Sequence, residues 1–175
     1  MGPWEREYDE IQRGAWMNPV EISLLDKMLY FEEAILTLPQ IEIEPVHRFA
    51  DGMYAREVTV PKDTLLTGEV HNGTYFTIVS KGDITVIATG SQKQQRIKAP
   101  YTFIAQPGVK RVAYAHEETV WTTIHATEIK DIKQVEEAIF DRSYKISDAV
   151  RAALKLMPIK MDVLLGFQGD KECLV

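Results

Sequence analysis

Glu69, His71 and Tyr75 are the residues whose types and spacing could do chemistry. Side chains two apart on a strand share a face, so Glu69 and His71 project together, with Tyr75 opposite across the turn at Asn72-Gly73. An imidazole beside a carboxylate and a phenol suits proton transfer or the holding of a cation. His125 extends the set. It lies on a strand predicted from Val120 to Thr127, and if that strand turns Trp121, Thr123 and His125 inward, then His71, His125 and Glu69 make a two-histidine, one-carboxylate site for a divalent transition metal. The opposite phase buries Val120, Thr122 and Ile124 and leaves His125 outside, and alternation alone accommodates both. Other catalytic signatures are absent: no Gly-x-Ser-x-Gly elbow, Walker loop, Gly-x-Gly-x-x-Gly turn or His-Glu-x-x-His helix.

The elements that must position these residues fall into three parts. Asn18-Pro19 predicts a helix start and Pro39 its end, while Leu24, Met28, Phe31 and Ile35 lie on one stripe with Leu25, Leu29 and Leu36 beside it. That is the spacing of a broad packing face over residues 19–37. From about Ile41 to Ala126 the period becomes that of strands rich in Val, Ile, Thr and Tyr, punctuated at Asp51-Gly52, Pro61-Lys62-Asp63, Asn72-Gly73, Lys81-Gly82-Asp83, Thr89-Gly90-Ser91 and Pro107-Gly108. Short strands between closely spaced turns predict an antiparallel sandwich or barrel, with Gln92–Arg96 as a hairpin tip or the start of an edge strand. Helical patterning returns at Ile132, Val135 and Ile139, and again at Val150, Leu154 and Met157 behind a Ser147 cap, with Pro158 closing it. Residues 159–175 carry no assignable pattern.

Bulk composition limits the function classes. A chain of 175 residues supports one core with helical additions, giving an N-terminal helical extension at 1–44, a barrel at 45–127 and a C-terminal helical extension at 128–175 as one folded unit. The net charge of -6 and the lack of a Lys/Arg stripe argue against nucleic acid. Cys173 is the single cysteine, misses the prenylation spacing and cannot form an intrachain disulfide. Glu5, Glu7, Asp9 and Glu10 stand where a secretory signal would be basic and then apolar, and no apolar run is long enough to span a bilayer, which points to the cytoplasm.

The order of punctuation resembles the cupin superfamily, the RmlC-like β-barrels. Val60–His71 is similar to the opening strand, proline-led turn and ligand strand of a cupin; Thr77–Val86 resembles the following hairpin, and Ile104–Arg111 the second motif. The resemblance covers residues 45–127 and implies an antiparallel jelly roll, a double-stranded β-helix, with the flanking helices attached. That layout also resembles small cupin-like proteins encoded by tailed phages. Metal-binding cupins offer two histidines, a glutamate and a third histidine, and the matching positions here read Glu69, His71, Tyr75 and Arg111. By that correspondence Arg111 enters the barrel interior from another strand. A guanidinium there opposes a cation and favours phosphate or carboxylate.

Each residue also has a plain structural role open to it. His71 could be a hydrogen-bonded core histidine, Glu69 and Arg111 a buried ion pair closing the barrel, and Tyr75 a barrel lining whose hydroxyl finds a partner. Trp121 and Tyr114 suit the core, and His47 and His116 suit the surface. Either Arg48 or Arg56 could reach the barrel mouth. The resemblance therefore implies a non-enzymatic barrel binding a small anion of the nucleotide or sugar-phosphate type through Glu69, His71, Tyr75, Thr77, Arg111, Trp121 and His125, in a phage setting as a signal-sequestering or virion-associated protein. The competing class is an enzyme, either a metal-dependent oxygenase or isomerase on His71, His125 and Glu69, or a metal-free epimerase using His71, Glu69 and Tyr75. Cupin-like barrels pair through sheet edges, so a homodimer or higher homo-oligomer is expected.

Overall fold

The computed structural model of the chain describes residues 20–91 and 93–157. A first helix, α1 (Leu24–Ile35), precedes ten strands: β1 (Val46–Ala50), β2 (Met53–Val60), β3 (Thr64–Gly68), β4 (Val70–His71), β5 (Tyr75–Lys81), β6 (Asp83–Ala88), β7 (Gln95–Lys98), β8 (Tyr101–Ala105), β9 (Arg111–Ala115) and β10 (Thr119–Ala126). Helix α2 (Ile132–Ile139), a short β11 (Phe140–Asp141) and helix α3 (Asp148–Leu154) follow. The chain is mainly β and antiparallel with helical flanks, as predicted. Among the described residues no helix is long and apolar enough to cross a membrane.

Two sheets face each other. One runs β1-β2-β10-β5-β8 and the other β3-β9-β6-β7, while β11 pairs with β4 at one end. Val79, Ile84, Val86, Ile97 and Ala113 pack between the sheets with Leu66, Phe103 and Trp121 against them. Strand β6 is buried on both sides because Ile84 and Val86 face this interior while Ile87 meets the helices. The turns fall where the sequence places them. Gly82, between β5 and β6, has φ 99°, and a Cβ there would lie 2.5 Å from the Glu118 carbonyl oxygen, so only glycine fits the approach.

Helix α1 starts later than Asn18-Pro19 suggests, and those two residues lie outside the described ones. Val20, Glu21 and Ile22 are not helical, and Ser23 caps the helix instead: the Asp26 amide donates to Ser23 Oγ at 3.1 Å and the Ser23 amide to Asp26 Oδ2 at 3.0 Å. This reciprocal capping satisfies two terminal donors, which proline at the first position would not. The stripe packs on the chain's own barrel. Met28 and Phe31 meet Ile87 and Val112 of the outer sheet face and Val150 and Leu154 of α3. Each such side chain contributes about 2 kcal/mol by leaving water. Ser147 caps α3 as expected, its Oγ accepting from the Val150 amide at 3.3 Å; Pro158 is outside the described residues.

One polar contact locks the helix to the sheet. Lys110, 2% exposed, reaches Glu32 Oε1 at 2.6 Å, and Thr67 Oγ1 donates to the same oxygen at 2.6 Å. Arg151 of α3 ion-pairs with Glu33 beside it. The C-terminal extension is not purely helical, because β11 adds to the barrel with Phe140 opposite His71 and Asp141 opposite Val70. Removing the carboxylate in Glu32→Ala leaves the Lys110 ammonium buried without a partner. Urea denaturation is expected to show a loss of about 3 kcal/mol, with Lys110→Met losing clearly less because Glu32 can turn to water.

Candidate functional site

A cavity of about 270 Å³ opens between the two sheets. Much of its lining is aliphatic, with Val60 and Ile84 fully buried beside Val58, Leu66, Val86 and Ala113. Polar groups line it as well, Arg56, Thr67, Glu69, His71, Tyr75, Arg111 and Thr123, with Phe140 from the C-terminal extension. Trp121 lines the wall and meets the Phe103 ring edge-to-face at 5.8 Å.

Strand alternation explains most of this placement. Thr123 and His125 are buried and Trp121 and Thr123 line the cavity, so β10 adopts the inward phase for these three. His125 itself lies behind the wall rather than on it, as does Thr77, which is fully buried and registers opposite Thr123. Glu69 departs from the expected geometry. It falls in the break between β3 and β4, so the alternation that would turn it inward with His71 is interrupted, and its half-exposed side chain reaches Arg142 Nε at 3.5 Å. The Glu69–Arg111 ion pair therefore does not form.

Arg111 is held by neutral groups. Its Nη1 donates to the Tyr75 hydroxyl at 3.0 Å, and its guanidinium lies 5.8 Å from the Phe103 ring. Among the described residues it makes no salt bridge. Arg56 sits 3.6 Å from Glu136 Oε1 of α2 and 5.9 Å from the Phe140 ring, and Arg142 lies 5.6 Å from the same ring. Three guanidiniums thus face two carboxylates, and Arg111 is the one left over. Arg56 is a site residue that the sequence reading left undecided; its step of two from Val58 and Val60 on β2 carries the signal. Phe140 gave none, because its place depends on β11 pairing with a strand almost seventy residues away.

His71 and His125 are neutral. His71 packs on Tyr75 at 4.0 Å and His125 at 5.0 Å, with Phe140 edge-on at 5.0 Å. Burial, aided by His125, Arg111 and Arg56, pushes His71 down to about 3, and burial with Arg56 pushes His125 down to about 4. Burial also raises the Tyr75 phenol against the pull of Arg111. His71 Nδ1, His125 Nε2, Arg56 Nε and Thr77 Oγ1 are buried with no hydrogen-bond partner among the described residues. Such groups normally find one in a ligand or ordered water. Among the described residues no carboxylate partners His71, so the ordinary orienting group of a histidine base is missing from them.

A metal does not fit these residues. Among the described residues no three His, Cys, Asp or Glu side chains stand where they could hold an ion. Glu69 is turned to Arg142, so His71, His125 and Glu69 do not assemble into a site. The surface placements of His47 and His116 also change: both are half-buried, His47 Nδ1 lying 2.7 Å from the Tyr54 hydroxyl and His116 Nε2 2.7 Å from Thr85 Oγ1. Tyr114 is half-buried, packs beside the core under α1 and donates to Asp63 Oδ1 at 3.1 Å.

No protein-family model and no curated protein matches the chain. Among solved structures it is similar to KdgF from Halomonas sp., with 15% identity, a TM-score of 0.42, and coverage of 51% of this chain and 86% of that one. A cupin-2 domain-containing protein from Shewanella frigidimarina shares 16% identity at a TM-score of 0.40, covering 60% of this chain and 100% of that one. An RmlC-like cupin family protein with a double-stranded β-helix fold from Methanocaldococcus jannaschii shares 12% identity at a TM-score of 0.39, covering 52% and 94%. At these identities and TM-scores none of them transfers a ligand or an activity. The structural neighbours of this mainly β chain thus include cupin and RmlC-like proteins, the family that its turn-and-strand motifs resemble.

Proposed function

We propose that the barrel binds a small anionic molecule without transforming it. The observation that carries the reading is Arg111, a permanent cation on the cavity wall whose hydrogen bond goes to a phenol rather than to a carboxylate. A charge withdrawn from water is costly unless something of opposite sign meets it, and a phosphate or carboxylate offers the guanidinium two acceptor oxygens. The buried His71 Nδ1, without a hydrogen-bond partner among the described residues, supplies a further hydrogen-bonding position nearby. Nucleotides and sugar phosphates carry such a head group. In a phage setting, binding of this kind would sequester a host signalling nucleotide or serve the virion.

Native mass spectrometry of purified protein is expected to show a copurified anion, lost in Arg111→Gln with affinity falling at least tenfold. Stoichiometric Fe, Mn, Ni or Zn that disappears in His71→Ala would contradict this reading in favour of a metal-dependent enzyme.

The positive charge comes from arginine, so pH should have little effect on affinity. With His71 and His125 held down to about 3 and about 4, neither gains a proton between pH 8 and 6, and the dissociation constant for a carboxylate ligand should change less than twofold by calorimetry over that range. A tenfold tightening on acidification would mean that an imidazolium supplies the charge. Stability has its own dependence. The unfolded histidines take up protons near pH 6.5 and the folded ones only near their lowered values, so stability is full above 6.5 and falls as pH drops towards 4. His125→Phe should flatten part of that fall in a thermal-melt series.

Self-association through the five-stranded sheet is part of the same reading. Strand β8 is its edge, and Phe76 and Ile104, paired across β5 and β8, are 52% and 56% exposed. Light scattering should give twice the chain mass, reverting to the monomer in Phe76→Lys; a wild-type monomer at high concentration would remove the dimer.

A further inference from the structure

We infer that the ligand is an amphipathic monoanion, a compact apolar or aromatic body carrying one carboxylate, rather than a polyhydroxylated phosphate. This rests on the anion-binding reading of Arg111 and narrows what the anion must look like. The cavity that Arg111 lines is also walled by Val58, Leu66, Val86, Ala113 and Trp121, with the hydroxyls of Thr67 and Thr123 among the neutral polar exceptions. Those four aliphatic side chains offer no hydrogen bond. A sugar hydroxyl pushed among them would surrender its bonds to water and regain none, whereas a hydrocarbon or phenyl body gains by leaving water. Arg111 and the buried Nδ1 of His71, which has no hydrogen-bond partner among the described residues, line the same cavity and can take the head group.

Volume is compatible with this: a cavity of about 270 Å³ exceeds the roughly 150 Å³ that holds a benzene ring, so a phenyl ring with a short acid arm has room. Charge limits the ligand as well: among the described residues Arg56 has Glu136, Arg142 has Glu69 and Arg111 has no carboxylate, so one negative charge balances the site.

The test is a calorimetric series on the intact chain with four probes: acetate, phenylacetate, glycerol phosphate and AMP. Phenylacetate is expected to bind at least tenfold more tightly than acetate or glycerol phosphate, to quench tryptophan fluorescence, and to lose that affinity in Arg111→Gln. Val58→Thr, which keeps side-chain size and adds a hydroxyl to the apolar wall, should weaken phenylacetate severalfold and leave acetate unchanged. If glycerol phosphate or AMP binds most tightly and needs Arg111, the amphipathic body is wrong while anion binding stands. If phenylacetate binds equally well to Arg111→Gln, or none of the four binds the wild type, both the body and the anion site are wrong. The comparison among probes on the unaltered protein decides the matter even where a variant fails to fold.

Discussion

The hydrogen bond from Arg111 to Tyr75 is the contact around which the rest of the site is arranged. A guanidinium at the edge of an apolar cavity must be solvated by something, and here a phenol and the Phe103 ring do part of that work. Because neither carries a negative charge, the positive potential of Arg111 persists into the cavity. Burial, aided by His125 and then by that potential, keeps His71 neutral, and a neutral His71 can remain packed against Tyr75 and His125 without repulsion. An acid in place of Tyr75 would quench the charge and alter each of these relationships.

The fold holds that arginine at the first residue of β9, directly after Lys110. The two neighbouring side chains go to different partners. Lys110 goes outward beneath α1 and is fixed by Glu32; Arg111 goes inward and is fixed by Tyr75. Helix packing outside the sheet and charge placement inside it are thus tied together over a single peptide. The opposite rim is built by β11, which brings Phe140 against His71 and leads into Arg142, the partner of Glu69. The extension after the barrel is therefore part of the site's wall.

Much of the strand framework was legible in the sequence because turn residues and period-two patterning are local signals. The turns at Lys81-Gly82-Asp83 and Pro107-Gly108 and the Ser147 cap fall into this class. Glu69 was misplaced for the converse reason: alternation holds within a strand, and the break between β3 and β4 cannot be seen from residue types. The β10 phase was ambiguous because Val120, Thr122 and Ile124 are as compatible with an interior as Trp121 and Thr123 are; the sheet partner Thr77 and the cavity beside it resolve the choice. Ser23 was passed over as a cap because Asn18-Pro19 offered a local signal of the same kind. The pairing of Arg56 with Glu136 and the entry of Phe140 depend on contacts across long stretches of chain, which no local pattern encodes.

A crystal soaked with a bromine-substituted phenylacetate would test the central claim most directly. The account predicts an anomalous bromine peak deep between the sheets beside Trp121 and Val86, with the carboxylate density on Arg111. A peak confined to the protein surface, or a metal ion found between His71 and His125 in its place, would contradict it.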